Sequence, residues 1–84
     1  MTETITVTVK LFAAYRDMLG RKEQSVTINP GETVASLYDR LIAERASEAL
    51  RRATLFAVNE SYVPRDMALK DGDRVAFIPP VSGG

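Results

Sequence analysis

The residues best suited to chemistry are the last three, Ser82, Gly83 and Gly84, which end the sequence in a carboxylate. Glycine has no Cβ and reaches backbone conformations that other residues avoid, so a terminal glycine pair can pass through a channel too narrow for a side chain. A partner enzyme could enclose such a terminus and act on its carboxylate. The simpler alternative is a frayed end without a function, and the residues before the pair argue against it.

Other reactive groups are scarce. The chain has no cysteine and no histidine, which excludes thiolate nucleophiles, imidazole bases, disulfides and the usual zinc ligands. The remaining Ser, Thr, Lys, Tyr and carboxylate side chains show no pattern in which one group would activate another. We therefore expect no catalysis by the chain alone and no metal site.

Length and composition describe one small domain. The 84 residues suffice for a single hydrophobic core, and 45% apolar with 26% charged residues is ordinary for a soluble globular protein. The 11 basic and 11 acidic residues cancel, so net charge attracts neither nucleic acid nor an anionic membrane. No apolar run approaches the roughly 20 residues that cross a bilayer, and no basic segment opens the chain. We expect a cytoplasmic protein.

Apolar periodicity predicts an α+β fold. A period of two over residues 5–11 indicates a half-buried strand, and further strands are predicted over residues 23–28, 55–58, 62–63 and 75–78. Short helical segments are expected over residues 13–19, before Gly20, and over residues 47–53. The main helix is predicted to begin after Thr33 as N-cap and to end near Ala46. Its buried stripe is formed by Val34, Leu37, Tyr38 and Leu41.

One amphipathic helix can cover only one face of such a sheet, so the other face must be exposed to solvent or docked on a partner. The element order suits a β-grasp fold, a mixed sheet of about five strands with one main helix packed on one face. By analogy with that fold, the first and last strands are expected to be parallel neighbours at the centre. Residues 1–80 would form this domain and residues 81–84 a flexible tail.

Four segments together resemble the small, sulfur-carrying subunit of molybdopterin synthase (MoaD type), a ubiquitin-like protein. They are residues 11–16 (Leu-Phe-Ala-Ala-Tyr-Arg), 57–59 (Ala-Val-Asn), 69–73 (Leu-Lys-Asp-Gly-Asp) and 77–84 (Phe-Ile-Pro-Pro-Val-Ser-Gly-Gly). The resemblance spans the whole chain. Its most specific part is the Pro-Pro-Val-Ser-Gly-Gly ending behind Asp-Gly-Asp and an apolar strand.

The resemblance implies a sulfur carrier in molybdenum cofactor biosynthesis. An E1-like enzyme (MoeB type) would use ATP to adenylate the Gly84 carboxylate, and a cysteine desulfurase or rhodanese would supply the sulfur for a thiocarboxylate. The large synthase subunit (MoaE type), in a heterotetramer, would receive that sulfur for the pterin precursor, cyclic pyranopterin monophosphate. The chain would be a non-catalytic subunit with no permanently bound cofactor. Because it has no cysteine, it cannot carry the sulfur as a persulfide.

Partner-binding residues follow from strand phase and from the resemblance. Phe12, Tyr62 and Ile78 should lie on the open face of the sheet, where the family docks its large subunit. The alternative is that some of them pack beneath a loop. In the tail, Gly83 and Gly84 would reach the reaction centre, while Pro79, Pro80, Val81 and Ser82 would contact the partner. The two prolines either keep the tail extended or merely terminate the strand.

Three other functions stay open. The same tail could serve a sulfur carrier for thiazole synthesis or tRNA thiolation. A protein modifier would instead join its adenylated Gly84 to lysines. A passive β-grasp binding module would leave the terminus unused.

Overall fold

The computed structural model describes residues 3–80, which form a mixed five-stranded sheet with helices on one side. The strands are β1 (Ile5–Leu11), β2 (Glu23–Ile28), β3 (Leu55–Val58), β4 (Ser61–Val63) and β5 (Arg74–Ile78), in the order β2-β1-β5-β3-β4. The β1 and β5 strands are parallel, and the other neighbouring pairs are antiparallel. The predicted β-grasp arrangement, with the first and last strands adjacent and parallel, is confirmed.

The helices are α1 (Ala13–Leu19), α2 (Val34–Ile42) and α3 (Glu48–Ala53), with a 3₁₀ turn over Ala43–Arg45 between the last two. The α2 helix is the longest, as predicted. Gly20 ends α1 in a left-handed conformation with φ of 70°, and its N–H donates to the carbonyl of Arg16. The predicted bounds of β4 and β5 each miss the first residue, a difference of the size expected at strand ends.

The core lies between the helices and one face of the sheet. Alternate strand residues point into it, because successive side chains of a strand face opposite sides. Four aromatic rings at its centre meet edge to face, with centroids 5.1 Å apart for Tyr38 and Phe77 and 5.3 Å for Tyr38 and Phe56. The hydrophobic core is formed by the buried side chains of Val7, Val9, Leu11, Tyr15, Ile28, Val34, Leu37, Tyr38, Ile42, Ala46, Phe56, Val58, Leu69, Val75 and Phe77.

The free N–H groups at the start of α2 form hydrogen bonds with its N-cap residue and with the loop that precedes β5. The Thr33 hydroxyl accepts a hydrogen bond from the Ser36 N–H at 3.1 Å, as the sequence predicts. The N–H of Val34 donates to the carbonyl of Met67 at 3.0 Å. Because the first N–H groups of a helix have no partner within it, these contacts fix the loop against α2.

The predicted end of α2 near Ala46 is wrong. The α-helix stops at Ile42, because Ala43 adopts φ of 50° and ψ of −125°, which no helix continues. The chain then makes its 3₁₀ turn, and Ala46 joins the core at 8% exposure. Ile42 is fully buried, whereas the predicted stripe residue Leu41 only packs against the edge of the core.

Candidate functional site

The predicted reactive segment lies outside the described residues. The expectations for Val81, Ser82, Gly83 and Gly84 therefore remain predictions. The described chain ends with Pro79 and Pro80, directly after the central strand β5. Pro79 is half-buried and Pro80 is exposed. What the structure shows is the base from which residues 81–84 continue.

The Asp-Gly-Asp turn fixes the position of β5 and hence of that base. The Asp71 carboxylate accepts a hydrogen bond from the Thr6 N–H at 2.8 Å, and the Gly72 N–H donates one to the Thr6 carbonyl at 2.8 Å. Gly72 has φ of 85°, a conformation in which a side chain would be strained. The Asp73 carboxylate accepts the Asn59 side-chain amide at 3.0 Å. These bonds tie the start of β5 to β1 and to the turn after β3.

The open side of the sheet carries a cluster of exposed apolar side chains, which we call the apolar face: Phe12, Leu55, Tyr62 and Ile78. Phe12 is 46% exposed, Leu55 55% and Tyr62 71%, and Ile78 is partly exposed. Val75 and Phe77 of β5 point to the opposite side of the sheet from Ile78, and both are buried. The predicted outward orientation of Phe12, Tyr62 and Ile78 is confirmed. Large apolar groups gathered on a surface commonly mark a protein interface.

Leu55 is a member of this face that sequence reasoning missed. It lies directly opposite Ile78 in the antiparallel pairing of β3 with β5, so the two side chains share a side of the sheet. The sequence does contain a pattern that predicts the outward orientation of Leu55. Phe56 faces the core, so period-two alternation places Leu55 outward, just as it places Ile78.

Two depressions meet at the apolar face. One, with a volume of about 280 Å³, runs between Phe12, Tyr62 and Ile78, and charged side chains of Lys10, Glu60 and Arg74 also line it. The other, of about 680 Å³, is more apolar and extends from α1 past Leu50 to Pro79 and Pro80. Phe12 and Ile78 border both depressions. The structure thus brings the predicted docking residues together with the two prolines at the start of the tail.

Beneath this surface, a chain of buried hydroxyl groups holds α3 against the core. The Tyr15 hydroxyl lies 2.5 Å from the Tyr38 hydroxyl and 2.5 Å from the Thr54 hydroxyl. Thr54 donates its own proton to the Leu50 carbonyl at 2.6 Å. Thr54 must therefore accept from Tyr15, and Tyr15 must accept from Tyr38, since each hydroxyl has one proton. Donation runs in one direction, from Tyr38 through Tyr15 and Thr54 to Leu50.

These hydroxyls are structural rather than reactive. Burial, reinforced by the hydrogen bond to Tyr15, raises the pKa of Tyr38 well above its ordinary value. The phenol therefore stays protonated at neutral pH. All buried side-chain polar atoms of residues 3–80 have hydrogen-bond partners. None of these groups resembles an activated nucleophile or base.

Neither a metal cluster nor a membrane span is found in the part of the chain that the structure describes. Between residues 3 and 80, no three carboxylates come close enough together to hold a metal ion. No helix within the same range is long and apolar enough to cross a bilayer.

Known proteins are similar to this chain over nearly their whole length. The molybdopterin synthase sulfur carrier subunit of Chlamydomonas reinhardtii is 41% identical over 81 residues, covering 93% of this chain and 98% of that protein. The protein of the same name from Escherichia coli is 38% identical over 81 residues, covering 93% and 99%. The solution structure of small archaeal modifier protein 1 from Methanosarcina acetivorans superposes with a TM-score of 0.74 at 26% identity, covering 98% and 99%. Residues 9–84 match the ThiS family, and the chain belongs to that family.

Proposed function

We propose that this protein is the sulfur carrier of a molybdopterin synthase. The observation that carries the proposal is the likeness to relatives named molybdopterin synthase sulfur carrier subunit, at 41% identity over 98% of the Chlamydomonas reinhardtii protein. The family match runs through Gly84 itself, so it includes the Gly-Gly ending. A docking surface beside the base of the tail supports the same role.

The proposed chemistry takes place at the Gly84 carboxylate. A carboxylate is a poor electrophile, so it first attacks the α-phosphorus of ATP on an E1-like activating enzyme and displaces pyrophosphate. The terminal sulfur of a persulfide, carried by a cysteine desulfurase or rhodanese, then attacks the carbonyl carbon of the acyl-adenylate, and AMP leaves. A thiol cleaves the resulting acyl disulfide, which releases the thiocarboxylate of Gly84 and leaves a disulfide between the thiol and the former persulfide carrier. ATP is thus consumed by the activating enzyme and is not a cofactor of this chain.

Sulfur delivery takes place in the large synthase subunit. There the thiocarboxylate sulfur of Gly84 forms a thioester with the pterin precursor, cyclic pyranopterin monophosphate. Hydrolysis of that thioester by water leaves the sulfur on the pterin and regenerates the Gly84 carboxylate. Residues 81–84, fully extended, span about 13 Å, enough to enter a buried pocket of the partner. Val81, Ser82 and Gly83 would line that path, with Pro79 and Pro80 at its entrance. The complex would be a heterotetramer of small and large subunits.

The apolar face supplies the contact that places the tail. Aromatic side chains such as Phe12 and Tyr62 are enriched at protein interfaces and often contribute much of the free energy of association, and burial of Ile78 adds apolar area. Leu55 extends this contact beside Ile78. Because Ile78 immediately precedes Pro79, docking through the apolar face fixes the origin of the tail within the complex. Binding and positioning therefore depend on the same strand.

Reconstitution tests the proposal. The protein is thiocarboxylated with its activating enzyme, ATP and a sulfur donor, then mixed with the large subunit and the pterin precursor, and the dithiolene product is assayed. A sulfur carrier already known to work with that large subunit is the positive control. Product formation is expected. Absence of product, with the control active, would assign the chain to another thiolation pathway.

A second candidate function is protein modification. The structural similarity to small archaeal modifier protein 1 of Methanosarcina acetivorans, at a TM-score of 0.74, favours it. The same acyl-adenylate of Gly84 would then be attacked by a lysine ε-amine, with loss of AMP and formation of an isopeptide bond. Mass spectrometry of cell proteins for lysines carrying a Gly-Gly remnant of this chain distinguishes the two functions.

A further inference from the structure

Cationic side chains border the apolar face at Lys10 and Arg74. Lys10 lies on β1 opposite Ala76 of β5, and Arg74 lies two residues before Ala76 on the same strand. Residues two apart on a strand share a side of the sheet, so both cations belong to the side that carries Ile78. Both are exposed, and both line the depression that contains Phe12 and Tyr62.

Neither cation forms an ion pair within the described residues. Ion pairs in residues 3–80 engage other arginines: Arg40 with Glu32, Arg51 with Asp39 and Arg52 with Glu48. Lys10 and Arg74 belong to none of these pairs. An open cationic site therefore lies directly beside apolar anchors.

The acidic groups around the depression do not cancel this charge. Glu60 lines it but forms no ion pair with either cation, and Glu23, opposite Lys10 on β2, forms none either. The Asp73 carboxylate is held by the Asn59 side-chain amide and by the Lys70 N–H. The lining of the depression therefore carries more positive than negative charge.

We propose that Lys10 and Arg74 form a specificity site that receives an acidic side chain of the docked large subunit. This inference rests on the proposed function, since it names the chemistry of that partner. Burial of the neighbouring Phe12 and Ile78 removes water from the contact, which strengthens a charge-assisted hydrogen bond to a carboxylate. A large subunit with an acidic group at that place is favoured over one with a neutral or basic group.

Charge also argues against a second copy of this chain as the occupant. In a two-fold symmetric dimer, the same patch meets itself. Lys10 and Arg74 of one copy would face a patch of the same positive excess, and like charges at an interface oppose association. The apolar anchors alone would suit either occupant, whereas the cations favour an acidic one.

The test measures binding of the large subunit to charge variants of the full chain. Neutralisation by Lys10→Gln or Arg74→Gln is expected to weaken binding about two- to fivefold at low salt, and reversal by Lys10→Glu or Arg74→Glu more strongly. The loss should appear mainly in the association rate and should shrink as salt rises. Arg45→Glu is the matched control, because Arg45 is exposed in the 3₁₀ turn on the helix side and forms no ion pair within residues 3–80.

The outcomes separate this inference from the proposed function. If the wild-type chain binds and Lys10→Glu and Arg74→Glu bind as well as Arg45→Glu does, the specificity site is wrong while the proposed function stands. If the wild-type chain does not bind the large subunit at all, the proposed function fails and the inference fails with it. If the wild-type chain forms dimers and Lys10→Glu makes dimerisation tighter, the apolar face is occupied by a second copy of the chain and the specificity site is wrong.

Discussion

The one-directional hydroxyl chain makes a quantitative prediction about stability. Replacing Tyr15 by Phe removes the middle hydroxyl, which accepts from Tyr38 and donates to Thr54. Tyr38 is 2% exposed, so its hydroxyl proton is left buried without an acceptor. An unsatisfied buried donor costs about 1–3 kcal/mol. Tyr38→Phe should cost only about 0.5–1.5 kcal/mol, because it removes the terminal donor and leaves the bond from Tyr15 to Thr54 intact.

Urea unfolding of the two variants measures this difference. In a domain of this size, about 1 kcal/mol of lost stability lowers the melting temperature by about 4–8 °C, so thermal melts give a second measure. Tyr62→Phe is the matched control. Tyr62 is 71% exposed, so loss of its hydroxyl should change the free energy of unfolding by less than about 0.5 kcal/mol. A Tyr38→Phe variant less stable than Tyr15→Phe would refute the direction of the chain.

Four further predictions concern packing, docking, a turn and pH. Leu37→Ala should cost about 2–5 kcal/mol of stability in urea unfolding, because Leu37 is fully buried. Phe12→Asp should weaken large-subunit binding in calorimetry and leave the melt nearly unchanged, because Phe12 is 46% exposed. Glu60→Gly should raise stability by about 0.5–1 kcal/mol over wild type, because Glu60 has φ of 71° in the turn between β3 and β4, and Glu60→Ala should not. The raised pKa of Tyr38 means that the folded state keeps a proton that the unfolded state releases, so stability should fall as pH rises above 10.0, less steeply in Tyr38→Phe.

The sheet could be predicted from the sequence because its pattern has one simple period. The alternation of apolar and polar residues over Ile5–Leu11 fixes which side chains enter the core, and β5 repeats it. The same rule places Phe12, Tyr62 and Ile78 outside. The strand order could be predicted only by analogy with a known fold, because the apolar periodicity of a strand does not show which other strands it pairs with.

The misses have local causes. The end of α2 differs from the prediction because Ala43 favours a helix by propensity, whereas in the structure it adopts φ of 50°. Leu55 was overlooked although its phase places it outward. The proximity of Lys10 to Arg74 depends on the pairing of β1 with β5, which brings residues far apart in sequence together. The apolar pattern of a single strand does not indicate such a contact between two strands.

The terminal-carboxylate mechanism is tested most directly by mass spectrometry of the Gly84 terminus after incubation with the activating enzyme, ATP and a sulfur donor. We expect one sulfur to replace one oxygen at Gly84 and this sulfur to be lost when the large subunit and the pterin precursor are added. Deletion of Gly84, or addition of one residue after it, should abolish delivery while folding is retained, because one residue shifts the terminus by roughly 3.3 Å, as much as the near-attack distance itself. Pterin sulfuration by either variant at the rate of the intact chain would contradict the terminal-carboxylate mechanism.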